Sequence, residues 1–167
     1  LENIVEDLVG HVESKFKEYY GVGVSSMFTD RLAYLSFVCM MTAIDGLAGF
    51  FAPHIKHNGE RFCAFVRAYF PDPLRTRADD VWALRNSLVH AFNPGQLFVL
   101  SHNKANLHLV EAAGRTGLNA EEFHATLMCA ANAFFLAAKA DAKLQANFKA
   151  RSEDPKGGVL VVAPVGG

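Results

Sequence analysis

The sequence predicts a mainly α-helical fold, a bundle of about five helices with a small β-hairpin set between the fourth helix and the last. Three observations carry that expectation. Apolar residues recur at three- and four-residue spacing through most of the chain. Helix-stopping groups punctuate these runs at Pro53, Pro71-Asp72-Pro73 and Asn93-Pro94-Gly95. Between the helical runs, residues 96–111 switch to short β-prone stretches. With 167 residues, 51% hydrophobic and 20% charged, the chain can bury one full core, so 1–154 reads as a single domain and 155–167 as a tail.

Ile4, Val5, Leu8, Val12, Phe16 and Tyr19 stripe a first amphipathic helix over residues 1–20, and Gly21 to Ser26 is expected to break it. A second helix is expected from Met27 to Phe51. Its stretch Leu32 to Ala52 is apolar and long enough to cross a bilayer. Asp45 within that stretch is expensive in lipid, and strong basic flanks are missing, so a buried core helix with no membrane contact is the expectation. Glu60 to Phe70 reads as a short third helix, with Phe62, Phe65, Val66, Tyr69 and Phe70 on one side and Arg61 and Arg67 on the other. The fourth runs from Arg77 to Phe92. Gln96 to Ser101 and Asn106 to Val110 suggest the hairpin. Asn119-Ala120-Glu121-Glu122 caps a long last helix reaching Arg151, and the run Val159 to Val162 is a candidate extra strand.

The fourth helix carries the chemistry. At about 100° per residue, Val81, Leu84, Leu88 and Phe92 form a core-facing stripe, while Asn86 and His90 share the opposite face. Arg85 falls beside the stripe, where an unpaired guanidinium is costly; it calls for solvent, a carboxylate or a phosphate. His90 lies in the last turn, where the macrodipole favours an imidazolium and suits proton transfer near neutral pH. Trp82 lies between the two faces, placed to line a cleft or close an interface.

The run Arg85-Asn86-Ser87-Leu88-Val89-His90 resembles the signature of the HEPN family of small helical domains: an arginine, a polar residue, a short spacer and a histidine at the end of one helix. Its setting is similar too, from Met27 to Pro94, with an acid central in the preceding long helix. The resemblance implies a HEPN-like bundle and a metal-independent endoribonuclease needing no cofactor. In such enzymes two motif helices meet across a homodimer. It also implies a toxin of a toxin-antitoxin or stress and defence system, with RNA as substrate and an antitoxin or nucleotidyltransferase as partner. On that reading His90 is general acid or base, Arg85 the phosphate clamp, and Asn86 an orienting group, with Asp45 and Trp82 in supporting places. A second copy has a physical motive, since Arg85 and His90 point about 140° apart around one helix. The alternative is a non-catalytic HEPN-like dimerisation or protein-interaction module, in which Arg85 pairs with Asp45 and His90 satisfies a carbonyl.

Net charge of −1 leaves no long-range attraction for polyanions, so any RNA contact must be local, short or made by a dimer. Cys39, Cys63 and Cys129 lie far apart within apolar helical runs and read as buried reduced thiols, which points to the cytoplasm. His54, His57 and Cys63 have a zinc-compatible spacing but lack a fourth ligand, so a solvated loop is expected and no metal. His102 and His108 read as exposed residues at a hairpin turn, and His11 and His124 as helix-surface residues. Ser87 has no base and orienting acid to make a hydrolase triad.

Overall fold

The computed structural model describes residues 2–29 and 31–154, with side-chain surroundings from Leu8 onward. Six α-helices lie among them: α1 (Glu2–Phe16), α2 (Ala33–Phe51), α3 (Asn58–Tyr69), α4 (Ala78–Ala91), α5 (Ala120–Ala140) and α6 (Ala142–Glu153). Three short strands, β1 (Phe98–Ser101), β2 (Glu111–Ala112) and β3 (Arg115–Asn119), sit between α4 and α5. The expected tail strand over Val159 to Val162 lies outside the described residues.

α2 is the axis of the bundle. It packs against α3, α4, α5 and α6, burying Phe37, Met40, Met41, Ile44 and Leu47. Both α2 and α5 are long and apolar enough by length and composition to cross a membrane; here their apolar faces are spent on the shared core. Phe134 of α5 is the hub of that core, with its ring centroid within 6.2 Å of Phe51, Phe65, Tyr69, Phe135 and Phe148. Offset and edge-to-face pairs of this kind add to simple area burial.

Several boundaries differ from the sequence expectation, each for a local reason. Gly21 does not end the first helix: Lys17–Gly23 continues it as a π-helical turn, with Gly21 set where a Cβ would lie 3.3 Å from the Met128 side chain. α2 starts at Ala33, six residues later than expected, because Met27, Phe28 and Leu32 are taken up by turns bonded to the Val24, Ser25 and Thr29 carbonyls. The long last helix is two helices. Asp141 adopts an extended backbone (φ −111°, ψ 113°), and its carboxylate accepts the Lys143 and Leu144 N–H groups at 2.7 and 3.2 Å. That break turns α6 so that Leu144 and Phe148 are buried against α1, α2 and α5.

The expected hairpin is also redrawn. Ala105–Leu107 is a 3-10 turn, and the antiparallel hairpin is β2 with β3 around Ala113 and Gly114, both at positive φ (51° and 74°). Two residues earlier the pairing persists irregularly, with Leu109 N–H on Gly117 O at 2.8 Å and Gly117 N–H on Val110 O at 2.9 Å. β1 joins the other side of β3 in parallel, Phe98 opposite Thr116, giving the order β1-β3-β2. The sheet is anchored at the foot of α4 by Arg77, which contacts Asp80, Glu111 and the Thr116 hydroxyl and stacks on Phe98.

Candidate functional site

α4 begins with Asp79 and Asp80 in its first turn, where the helix dipole favours carboxylates, and both are paired: Asp79 with Arg67 at 2.6 Å and Asp80 with Arg77 at 2.9 Å. Val81, Leu84 and Leu88 are buried as their spacing requires. Phe92 does not complete that stripe. It takes a left-handed conformation (φ 54°), which closes the helix through its N–H on Ser87 O and swings the ring out to 81% exposure. His90 therefore stands in the final turn with an exposed aromatic beside it.

Arg85 is the organising side chain. Its Nε and Nη2 both donate to Asp45 Oδ2 of α2 at 2.7 Å, and its Nη1 donates to Asn86 Oδ1 at 3.2 Å. The same Nη1 lies 3.5 Å from His90 Nε2. Behind the guanidinium, Cζ sits 5.2 Å from the centroid of the Trp82 ring. All five residues expected at the site are thus brought into one cluster within a single chain. The angular argument for a second copy is corrected accordingly: the guanidinium is long enough to close the gap around one helix, so dimerisation is not required to bring Arg85 and His90 together.

The Asp45–Arg85 pair is mostly removed from solvent, with side chains 20% and 17% exposed. Burial pushes the Asp45 carboxyl above its ordinary value, while the Arg85 hydrogen bonds and the charges of Arg85 and Arg61 pull it back. Arg61 completes this electrostatic setting from α3. Burial and the nearby Arg151 lower its pKa, while Asp45 and Asp154 oppose that shift. Its own hydrogen bonds go to Asn58 Oδ1 (2.8 Å) and Ile55 O (3.3 Å). Its spacing sets Arg61 on the side of α3 opposite the aromatic residues, and no spacing along α3 reveals that α2 brings a carboxylate towards it.

The arrangement can hold an anion and move a proton side by side. Asp45 fixes one edge of the guanidinium, which leaves Nη1 facing the His90 imidazole and able to engage a phosphate oxygen. Asp79, Trp82, Asn86 and His90, at i, i+3, i+7 and i+11, lie along one side of α4. At Trp82 this track meets an open cleft of about 660 Å³ between α3 and α4, lined by Lys56, His57, Gly59, Glu60, Cys63 and Arg67 among others. Gly59 is necessary there: a Cβ on it would lie 2.8 Å from Trp82 Nε1.

The remaining candidates disperse. His54 is exposed, His57 lines the cleft, and among the described residues no three His, Cys, Asp or Glu side chains are grouped to hold a metal. Cys63 is buried, but Cys39 is only partly so and Cys129 is exposed, because α5 turns it to the outside. His102 and His108 are half-buried rather than exposed. His108 Nδ1 accepts the Asn119 N–H at 3.2 Å, just where α5 begins, and burial lowers its pKa. His124 reaches the Tyr20 carbonyl at 2.6 Å. No protein-family model, curated protein or solved structure matches this chain.

Proposed function

We propose that this chain is a HEPN-like metal-independent endoribonuclease that cleaves RNA through its own 2′-hydroxyl. The observation that carries the proposal is the adjacency of Arg85 Nη1 and His90 Nε2 at 3.5 Å, with the guanidinium braced by Asp45 and Asn86. In the reaction His90 takes the proton of the ribose 2′-hydroxyl while water protonates the departing 5′-oxygen, or His90 delivers the proton to the 5′-oxygen while water takes that of the 2′-hydroxyl. The 2′-oxygen attacks the adjacent phosphorus, Arg85 stabilises charge on the phosphorane, and the P–O5′ bond breaks. The products are a 2′,3′-cyclic phosphate and a free 5′-hydroxyl. A homodimer in which two such helices face one cleft, a cytoplasmic setting, and restraint by an antitoxin or nucleotidyltransferase partner belong to the same proposal and rest on the family resemblance.

One observation favours a second reading, a non-catalytic HEPN-like dimerisation or protein-interaction module. Arg85 already holds a carboxylate through two donors, which satisfies its charge without any ligand. The two readings separate in one experiment: incubation of a mixed RNA pool with the purified chain in chelator, beside Arg85→Ala and His90→Ala variants verified as folded. Cyclic-phosphate ends that vanish in both variants support the ribonuclease. A folded chain that cleaves no RNA supports the interaction module.

A further inference from the structure

We propose that the cleft between α3 and α4 is a nucleobase-binding subsite, in which an unpaired base packs against Trp82 and presents its edge to Arg67 and Asp79. The inference deepens the ribonuclease reading by giving its substrate a second foothold, and rests on that reading for the identity of the polymer.

Size is the first argument. The cleft offers about 660 Å³ of space open to solvent, room for a base to enter from the side. Its wall is the second: Trp82 is a half-buried indole held in place by Phe62 (centroids 5.3 Å apart) and by the missing side chain at Gly59. The part of the indole that lines the cleft is thereby fixed as an apolar wall against which a base of any sequence can pack. Charge is the third argument, and it separates a base from a bare phosphate. Lys56 and Arg67 on the lining are offset by Glu60 and Asp79, and Arg67 and Asp79 form an ion pair at 2.6 Å. A phosphate prefers unopposed cations; a base edge, which carries donors and acceptors together, fits a guanidinium beside a carboxylate. Thiol chemistry does not compete. Burial and the neighbouring Asp79 push the Cys63 thiol up to about 11, so it is un-ionised at neutral pH.

Position supplies the link to the reaction. Trp82 touches both the cleft and Arg85, and precedes His90 by eight residues on the same side of α4, roughly 12 Å along the axis. A strand whose phosphate lies at Arg85 and His90 therefore has a neighbouring base within reach of the indole.

Trp82 is the chain's single tryptophan, so its fluorescence reports the cleft directly. The full chain is titrated with adenosine and uridine 5′-monophosphates, and with ribose 5-phosphate as the base-free control. Saturable quenching by both nucleotides and none by ribose 5-phosphate is expected. Trp82→Leu, read by calorimetry, should weaken nucleotide binding about tenfold or more. Arg67→Ala, a change at a half-exposed side chain, should weaken it several-fold without altering the fold. Unmoved fluorescence at millimolar nucleotide, with RNA still cleaved, overturns the base subsite and leaves the ribonuclease standing. Equal binding of ribose 5-phosphate also overturns it, making the cleft an anion site. Nucleotide binding with no RNA cleavage sustains the subsite while removing the ribonuclease.

Discussion

Replacing Arg85 with alanine strands Asp45 on the central helix, and the consequence depends on pH in a calculable way. Two hydrogen bonds of 2.7 Å to one carboxylate oxygen are lost. Bonds to a charged partner contribute about 1.5–3 kcal/mol each. They are not additive, and with side chains 17% and 20% exposed, solvent screens part of the interaction, so about 2–3 kcal/mol is expected for the pair at pH 7. For a domain of this size that corresponds to a drop of roughly 4–12 °C in Tm. Asp45 is already raised by burial; without Arg85 the chief pull in the other direction disappears and its folded pKa rises further. A raised carboxyl costs nothing where it is protonated in both states. Its penalty develops as pH climbs past the unfolded value, about 3.9, and is complete above the folded value. The gap between parent and Arg85→Ala should therefore be widest at neutral pH and shrink on acidification. Adding Asp45→Asn to Arg85→Ala should restore part of the lost stability, because it removes the uncompensated charge. Urea unfolding of the parent, both single variants and the double variant between pH 4 and 8 gives all four numbers. A pH-independent deficit for Arg85→Ala, with single effects that simply add in the double variant, would refute the reasoning.

Three further substitutions probe the frame that holds the site. Phe92→Gly should raise stability by about 1 kcal/mol in a thermal melt, since the ring is 81% exposed and the left-handed φ of 54° suits glycine. Gly117→Ala should destabilise the sheet by about 2 kcal/mol or more, because the new Cβ would lie 2.1 Å from the Leu107 carbonyl oxygen; faster hydrogen exchange of the Leu109 and Gly117 amides is the direct readout. Asp141→Ala uncaps α6 and should cost about 1 kcal/mol in urea unfolding, while stability unchanged by the substitution would mean the cap does not hold the α5–α6 break.

Where sequence and structure agree, the determinants are local. α2, α3 and α4 were legible because apolar periodicity marks their buried faces and Pro53, Pro71 and Asn93-Pro94 lie just beyond their ends. Arg85, Asn86, His90 and Trp82 could be placed together because they share one helix. The Asp45–Arg85 contact was foreseeable as one alternative, from two charges that each lacked a partner in an apolar helix. The rest depended on competition between elements. Asp141 lies in an alanine-rich run that reads as continuous helix, and its capping role emerges only when Leu144 and Phe148 turn inward. β3 went unread because Arg115 to Asn119 looks like loop until Thr116 and Leu118 are seen to be buried alternately between two partners. Arg61 and the cleft belong to contacts among α2, α3 and α4 that no spacing within one helix encodes.

The proposed ribonuclease needs Arg85 and His90 to act on one phosphate as a single unit, which single-turnover RNA cleavage by the parent, Arg85→Ala, His90→Ala and the double variant measures. Each single change should slow cleavage about 10²-fold or more, with the double variant scarcely slower than the worse single one, as for groups that work together. Cleavage that survives in either variant at the parent's rate, or losses that multiply in the double variant, would contradict it.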